Sequence, residues 1–541
     1  PDMTRLRLLG LTLTLVFAAW GQGGRNAAGR GAPGGQTAAQ PAASGRGGRG
    51  AAAPAGETVD FYDFDPTATA AEPVPDVRPV EAHQKITING QALGYTARTG
   101  YLPLRNATTG QSEAHIFYTY YAKDGDAAAR PVVFFFGGAP GVASAWQEFG
   151  GLGPKRFSEN SAAGWTENPQ TLLGQADLVF VNPVGTGFSR PDRPDRATAF
   201  WNTNADIASL GAFVRSFLIH YDRTAAPVFL AGEDWGTGRV AGLAGYLYDH
   251  QVPVRGVALF NMALSPDATA GDTQYLTLLP SLTMAAWAHR KLAPEMNRLS
   301  SEEIAGQARQ FASREYLHAL YKGDRMTAEE RAKVLADLGR LTGLSKQFLI
   351  SNDLRITVDR FASELLREEH AGLSRSDSRV AGYEPPPSGG GRGGRGGFGF
   401  APPAPPVDFN LSRISAGFLT AYDAYLRHEL AFTANADGIY YLNSGGIGPF
   451  TSTGNDDASL ASAFARNPRL RLFVSVNYFD LNAPFYATEY TLAHLNVAPE
   501  VRAKNITVTH LEAGQMPYLD GKALGKLQSG LAEFVEQATK P

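Results

Sequence analysis

The sequence predicts an α/β fold: a mostly parallel central sheet with a helical block inserted before its last strands. Three observations carry this expectation. Short apolar runs, each closed by a Gly-rich or polar turn, recur through residues 80–265, as buried parallel strands do. A stretch of helical periodicity, "NADIASLGAFVRSFLIHY", lies between two of those runs, where a right-handed crossover belongs. From 266 to 440 the pattern is amphipathic and helical, and strand-like runs resume after 440.

The elements follow in order. Met3 reads as a start, Arg5 and Arg7 as a positive region, and residues 8–20 as an apolar run too short to span a bilayer comfortably. Residues 1–20 are expected to be a secretory signal, which implies a secreted or periplasmic protein with no stable membrane span after cleavage. Residues 21–58 contain no Ile, Leu, Val, Phe, Tyr or Trp. Nothing there offsets ordering entropy, so a disordered tether is expected. "KITING" and "AHIFYTYY" read as early antiparallel strands, and "RPVVFFFGG", "ADLVFVNPVG" and "APVFLAGED" as parallel ones. Residues 59–265 and 441–541 are assigned to the α/β core.

Within 266–440, four amphipathic stretches predict helices: "EEIAGQARQFASREYLHALYKG", "TAEERAKVLADLGRLTG", "DLRITVDRFASELLREEH" and "SAGFLTAYDAYLRHELAF". Thr327 ahead of Glu329 and Glu330 looks like a capped start. The block is expected to be a helical lid, carrying a disordered Gly/Pro loop at 384–406. "RLRLFVSVNYFD" and "KNITVTHLEAG" read as the last strands, and 521–538 as a terminal helix.

Composition narrows the chemistry. The 541 residues carry 49 Lys and Arg against 52 Asp and Glu, a net charge of −3. No nucleic-acid partner is indicated. The two glycine-arginine tracts lack the aromatic platform that single-stranded nucleic acid needs. There is no cysteine, which excludes disulfides, a thiol nucleophile and thiolate metal sites. The histidines show no metal-ligand spacing, and no phosphate loop with its lysine is present. No cofactor or metal is expected.

The chemistry-bearing stretch is "AGEDWGTGR", 231–239. A strand, a Gly-bounded turn and a helix present the nucleophile of α/β-hydrolases, written G-x-S-x-G. Here the tip of Gly232-Glu233-Asp234-Trp235-Gly236 is an aspartate. "FFFGGAPGVASAW" (134–146), "VNYFDLNAPFYATEYTLAHL" (476–495) and "LEAGQMPYL" (511–519) complete a set of loops. In order and content they resemble the serine carboxypeptidases, a branch of the α/β-hydrolases. "ADLVFVNPVGTGFSR" (176–190) is similar to that family's D-L-V-F-I-D-P-V-G-T-G-F-S-R, "GPKR" (153–156) also matches, and the resemblance runs from about 80 to 540.

That resemblance implies an α/β-hydrolase fold and places functional positions one by one. The family's nucleophilic serine, in G-E-S-Y-G, falls on Asp234. Its triad acid, in G-Y-x-D-L-x-x-P, is kept as Asp480. Its basic histidine, in A-G-H-M, falls on Gln515. Its oxyanion-hole backbone donors fall on Ala139 and Trp235. Its readers of the substrate carboxylate, the asparagine of N-G-G-P-G and the glutamate before the nucleophile, fall on Gly137 and Glu233. A serine attacks an amide only when a base takes its proton, and the same base protonates the leaving amine. Gln515 has no proton affinity for that work. The sequence therefore points to an impaired peptidase that binds a peptide or other small ligand.

An active hydrolase stays open as the alternative. It is either a carboxypeptidase-type exopeptidase or an enzyme that uses Asp234 as haloalkane dehalogenases and epoxide hydrolases use the aspartate of their D-W-G elbow. His494 and His510 are the candidate replacement bases, each with packing as its plainer role. Trp146, Trp165 and Trp201 read as packing residues, Asn182 and Thr186 as turn formers, and Arg239 as the partner of an acidic neighbour.

Overall fold

Nine strands build one twisted sheet in the computed structural model. The structure describes residues 78–540, apart from 139–140, 235, 263–264, 384–407, 434–437, 439, 443–449 and 452–455. The expected signal (1–20), the tether (21–58) and the loop at 384–406 lie outside the described residues. The strands are β1 (Val80–Ile88), β2 (Gln91–Arg105), β3 (Ser112–Lys123), β4 (Val132–Phe136), β5 (Asp177–Val181), β6 (Val228–Glu233), β7 (Val254–Phe260), β8 (Arg471–Asn477) and β9 (Ile506–Leu511). Their order across the sheet is β1-β2-β3-β5-β4-β6-β7-β8-β9, and a short strand, Arg190–Pro191, pairs with β3.

β1 to β3 pair antiparallel, and β3 meets β5 antiparallel. From β5 onward every pairing is parallel. β4, β5 and β6 are buried along their whole length. That explains why they read as unbroken apolar runs rather than as alternating ones.

The helices that matter here are α1 (Thr203–His220), α2 (Gly236–Asp249), α3 (Thr273–Ala288), α4 (Ser301–Phe311), α5 (Ala328–Thr342), α6 (Phe409–His428), α7 (Phe485–His494) and α8 (Gly521–Thr539). α3 to α6 fall between β7 and β8. Thr327 caps α5 in a capping box with Glu330, which closes two otherwise orphaned backbone donors. Two expectations need correction. The predicted helix over 353–370 shrinks to Val358–Glu364 with a single turn at Arg367–Glu369, because Asp353 and Leu354 take left-handed φ values of +47° and +64°. β2 was not expected as an element, and at fifteen residues it is the longest strand.

Two buried carboxylates fasten the sheet to its neighbours. Asp177, fully buried at the start of β5, takes hydrogen bonds from Arg130 (2.7 Å), from Arg223 and from the Lys123 amide (3.0 Å). A buried charge is tolerable only when its lone pairs are filled in this way. Glu148 sits between β3 and α6. Tyr121 donates to it at 2.6 Å and Tyr422 at 2.8 Å, and Tyr121 and Tyr425 share a further bond of 2.9 Å. Burial pushes the Glu148 carboxyl up to about 7, against the opposing pull of the two tyrosine bonds.

The folded state thus holds a proton that the unfolded chain releases at ordinary carboxylate pH. Stability from this group is full below the unfolded value and is lost as pH rises through about 7. Glu148→Gln should remove that slope. In urea unfolding at pH 5 and pH 8, the variant is expected to gain about 2–3 kcal/mol relative to wild type between the two.

Candidate active site

The turn between β6 and α2 is forced by close backbone approach. A Cβ at Gly232 would lie 2.4 Å from the Gly236 carbonyl, and one at Gly236 would lie 2.3 Å from the Gly137 carbonyl. Only glycine fits at either position. Between them Asp234 is held at φ +49°, a costly region for a residue with a side chain. Its amide donates to the Phe260 carbonyl at 2.9 Å, and its own carbonyl accepts from the amide (3.0 Å) and hydroxyl (2.6 Å) of Thr237. Arg239, one turn along α2, bonds the Gly137 carbonyl at 3.0 Å and the buried Asp206 carboxylate at 2.5 Å. The acidic partner expected for Arg239 is thus Asp206, and the pair ties the end of β4 to the elbow.

Gln515 reaches Asp234 from the loop after β9. Its Nε2 donates to Asp234 Oδ2 at 3.4 Å, and Asn482 Nδ2 donates to its Oε1 at 3.3 Å. Asp480 is fully buried beside this chain of amides. Its Oδ1 accepts from the amides of Asn482 (2.7 Å) and Ala483 (3.3 Å), and its Oδ2 from Asn261. The side-chain contact to Gln515 is made by Asn482, two residues on. Glu233 accepts the Tyr518 hydroxyl at 2.8 and 3.0 Å.

Burial pushes the Glu233 carboxyl up to about 8, with the charges of Asp234 and Asp480 raising it further and the Tyr518 bond opposing. Burial, then the charge of Asp234, pushes Asp480 up to about 8 as well. At neutral pH both are neutral acids next to Asp234.

Gly137 lines the same site without a side chain. A Cβ there would lie 2.4 Å from the Val142 carbonyl, so the loop has no room for one. Ala139 and Trp235, the expected backbone donors, lie outside the described residues. His510 on β9 pairs with Glu489 at 2.6 Å, and His494 at the end of α7 bonds the Tyr490 carbonyl at 2.8 Å. Asn182 accepts from the Ser144 amide (2.9 Å) and hydroxyl (3.0 Å) and donates to Tyr440 (3.1 Å), anchoring the loop after β4. Trp146 stacks on Phe418 of α6 with ring centroids 4.4 Å apart. No group of three metal-binding side chains is gathered among the described residues, and none of their helices is long and apolar enough to cross a membrane.

Sequence reasoning missed one structural support. Residues 374–378, from the segment between β7 and β8, clamp both loops. Ser376 O accepts from Gln515 N (2.6 Å), Arg375 O accepts from Leu481 N (2.9 Å), and Ser378 N donates to Phe479 O (2.8 Å). Asn261, Asn482 and Tyr518 were also missed. Each is a single polar residue without a motif of its own.

A family model described as serine carboxypeptidase matches residues 88–334. Over those residues, a little under half of its length, the chain resembles the serine carboxypeptidases. It is 26% identical over 208 residues to a serine carboxypeptidase family member of Dictyostelium discoideum, covering 38% of this chain and 46% of that protein. It is 30% identical over 154 residues to a carboxypeptidase Y homolog of Arthroderma benhamiae, covering 28% of this chain and 29% of that protein. The chain thus spans less than half the length of these relatives. A prohormone-processing carboxypeptidase of Saccharomyces cerevisiae superposes over 82% of this chain and 91% of its own, with a TM-score of 0.50 and 14% identity. That likeness is one of fold. The serine carboxypeptidase match contains the elbow and ends before Asp480 and Gln515.

Two outcomes follow from the geometry. Gly236→Ala should destabilise the protein by about 1–3 kcal/mol or more, the range for forced overpacking, read as a lowered midpoint in urea. Asp480 ionises near 3.8 when unfolded and near 8 when folded. Its stabilising contribution is therefore full below the lower value and is lost as pH rises through the upper one. Asp480→Asn should lessen the fall in unfolding free energy between pH 4 and pH 8.

Proposed function

We propose that this chain has the serine carboxypeptidase fold without its peptidase chemistry, and acts by binding a peptide or other small ligand beside Asp234. The helical segment 266–440 serves as the lid over that site, and the charged and apolar pattern of residues 3–20 supports export. One observation carries the reading. The side chain facing Asp234 from the base loop is the Gln515 amide, 3.4 Å away and backed by the Asn482 amide.

Neither amide takes up a proton near neutral pH, so neither can activate a nucleophile or protonate a departing amine. Asp234 needs no activation, but its attack on an amide forms an acyl anhydride. From that species the carboxylate leaves far more readily than the amine, and the reaction reverts. Loss of a triad nucleophile or base costs about 10⁶ in a hydrolytic triad. Gly137, with no space for a side chain, has also lost the group that would read a terminal carboxylate.

A second reading rests on a different observation. Glu233 and Asp480 titrate near 8 within the field of Asp234. Once ionised, above about pH 8, either can take the proton of the water that hydrolyses the ester an Asp-nucleophile hydrolase forms when its carboxylate displaces a leaving group from an sp³ carbon.

Both readings are tested directly. With blocked dipeptides from pH 4 to pH 8, and with a fluorophosphonate, the protein should show neither release of C-terminal residues nor labelling. Rapid release would overturn the proposal. Asp234→Ser combined with Gln515→His should gain measurable turnover, while staying below that of an intact triad because position 137 remains empty. Mass-spectrometric capture of an ester on Asp234 by an epoxide or alkyl halide would establish the second reading instead.

A further inference from the structure

At the far end of β6 from Asp234, roughly 20 Å away along six strand residues, lies a cavity of about 320 Å³. That is within the size of small-molecule sites. Three elements build it: the end of α1 with the loop into β6, the end of α2 with the loop into β7, and the start of β7.

Its charge is one-sided. Arg215 from α1 and Arg255 from β7 both line it, and none of its lining residues is acidic. Neither guanidinium group makes a hydrogen bond or ion pair among the described residues, whereas those of Arg130, Arg223, Arg239 and Arg309 are all paired. The rest of its lining is mixed: Leu218, Pro227, Val252, Pro253 and Ile219, which stands 70% exposed, are apolar, and Thr224, His250 and Gln251 are polar.

A plainer account makes Arg215 a complement to the negative end of the α1 dipole. That account does not extend to Arg255, which sits on a strand. Nor are the two helix ends bare acceptors. Arg223 N closes on the Leu218 carbonyl at 2.7 Å and Val252 N on the Leu247 carbonyl at 2.8 Å, each through a left-handed residue, Asp222 at φ +52° and Gln251 at +65°. These reversed turns satisfy terminal carbonyls, so the field in the cavity is set by the arginines.

The geometry points to a binding site for a small amphiphilic anion, its carboxylate or phosphate head between Arg215 and Arg255 and its apolar body against Ile219, Val252 and Pro253. Unpaired guanidinium groups suit either head, since both accept paired N–H donors. Burying the tail covers the exposed Ile219 side chain, which supplies the apolar part of the affinity.

Isothermal titration of the full chain with octanoate and octyl phosphate, against octanol and acetate as controls, tests this. At least one of the two amphiphilic anions should bind tenfold or more tightly than both controls, and which one does identifies the head group. Arg215→Gln with Arg255→Gln should weaken that binding tenfold or more while leaving the thermal midpoint near wild type. Ile219→Asp should weaken it through the tail. Octanol binding as tightly as the anions, or unchanged anion affinity in the double arginine variant, would overturn the assignment.

Discussion

The structure turns on a place where three stretches of backbone come too close for side chains. Gly232, Gly236 and Gly137 meet within van der Waals contact where β6 gives way to α2 beside the end of β4. This crowding holds Asp234 in a left-handed conformation and aims it out of the sheet. Arg239 makes the contact rigid by bonding the Gly137 carbonyl while its charge is met by Asp206. The fold therefore delivers whatever residue occupies position 234 to one point, regardless of the chemistry that residue can perform.

What surrounds that point has a consistent electrostatic character. Glu233 and Asp480 are deeply buried and hold their protons at neutral pH, which spares the site the cost of several ionised carboxylates in one apolar environment. Gln515 and Asn482 add dipoles without adding charge. In a working triad a buried carboxylate stabilises the cation that forms on imidazole. Here the side chain facing Asp234 from the loop after β9 is an amide, and Asp480 is satisfied by Asn261 and by the amides of its own turn.

Much of the fold was legible in the residues, because buried parallel strands write themselves as apolar runs ended by glycine or polar turns. β4, β5, β6 and β8 are such runs, whereas β9 is an edge strand of alternating Ile, Thr and Val with only Leu511 buried. β2 escaped because "QALGYTARTGYLPLR" contains two glycines and a proline and does not alternate, so it lacks the period that marks a half-buried strand. The elbow and the Asp480 and Gln515 loops were readable through their spacing. Asn482, Asn261 and the clamp at 374–378 were not. Their roles arise from backbone carbonyls and single amides that meet across separations of 33 residues for Asn482 and Gln515 and 219 for Asn261 and Asp480, and no local pattern records such a meeting.

β7 and β8 are side-by-side partners, with Phe260 opposite Ser475, yet more than two hundred residues of chain separate them, including α3 to α6. Closing so long a segment carries an entropic cost of about 5 kcal/mol before any pairing compensates it. Sheets joined by such distant segments assemble slowly. β8, β9 and the loops bearing Asp480 and Gln515 are therefore expected to dock last, onto a half-sheet already formed by the first part of the chain. During synthesis the exposed flank of β7 has to wait for its neighbour. Maturation of the site is thus governed by the arrival of the C-terminal strands rather than by the making of the elbow.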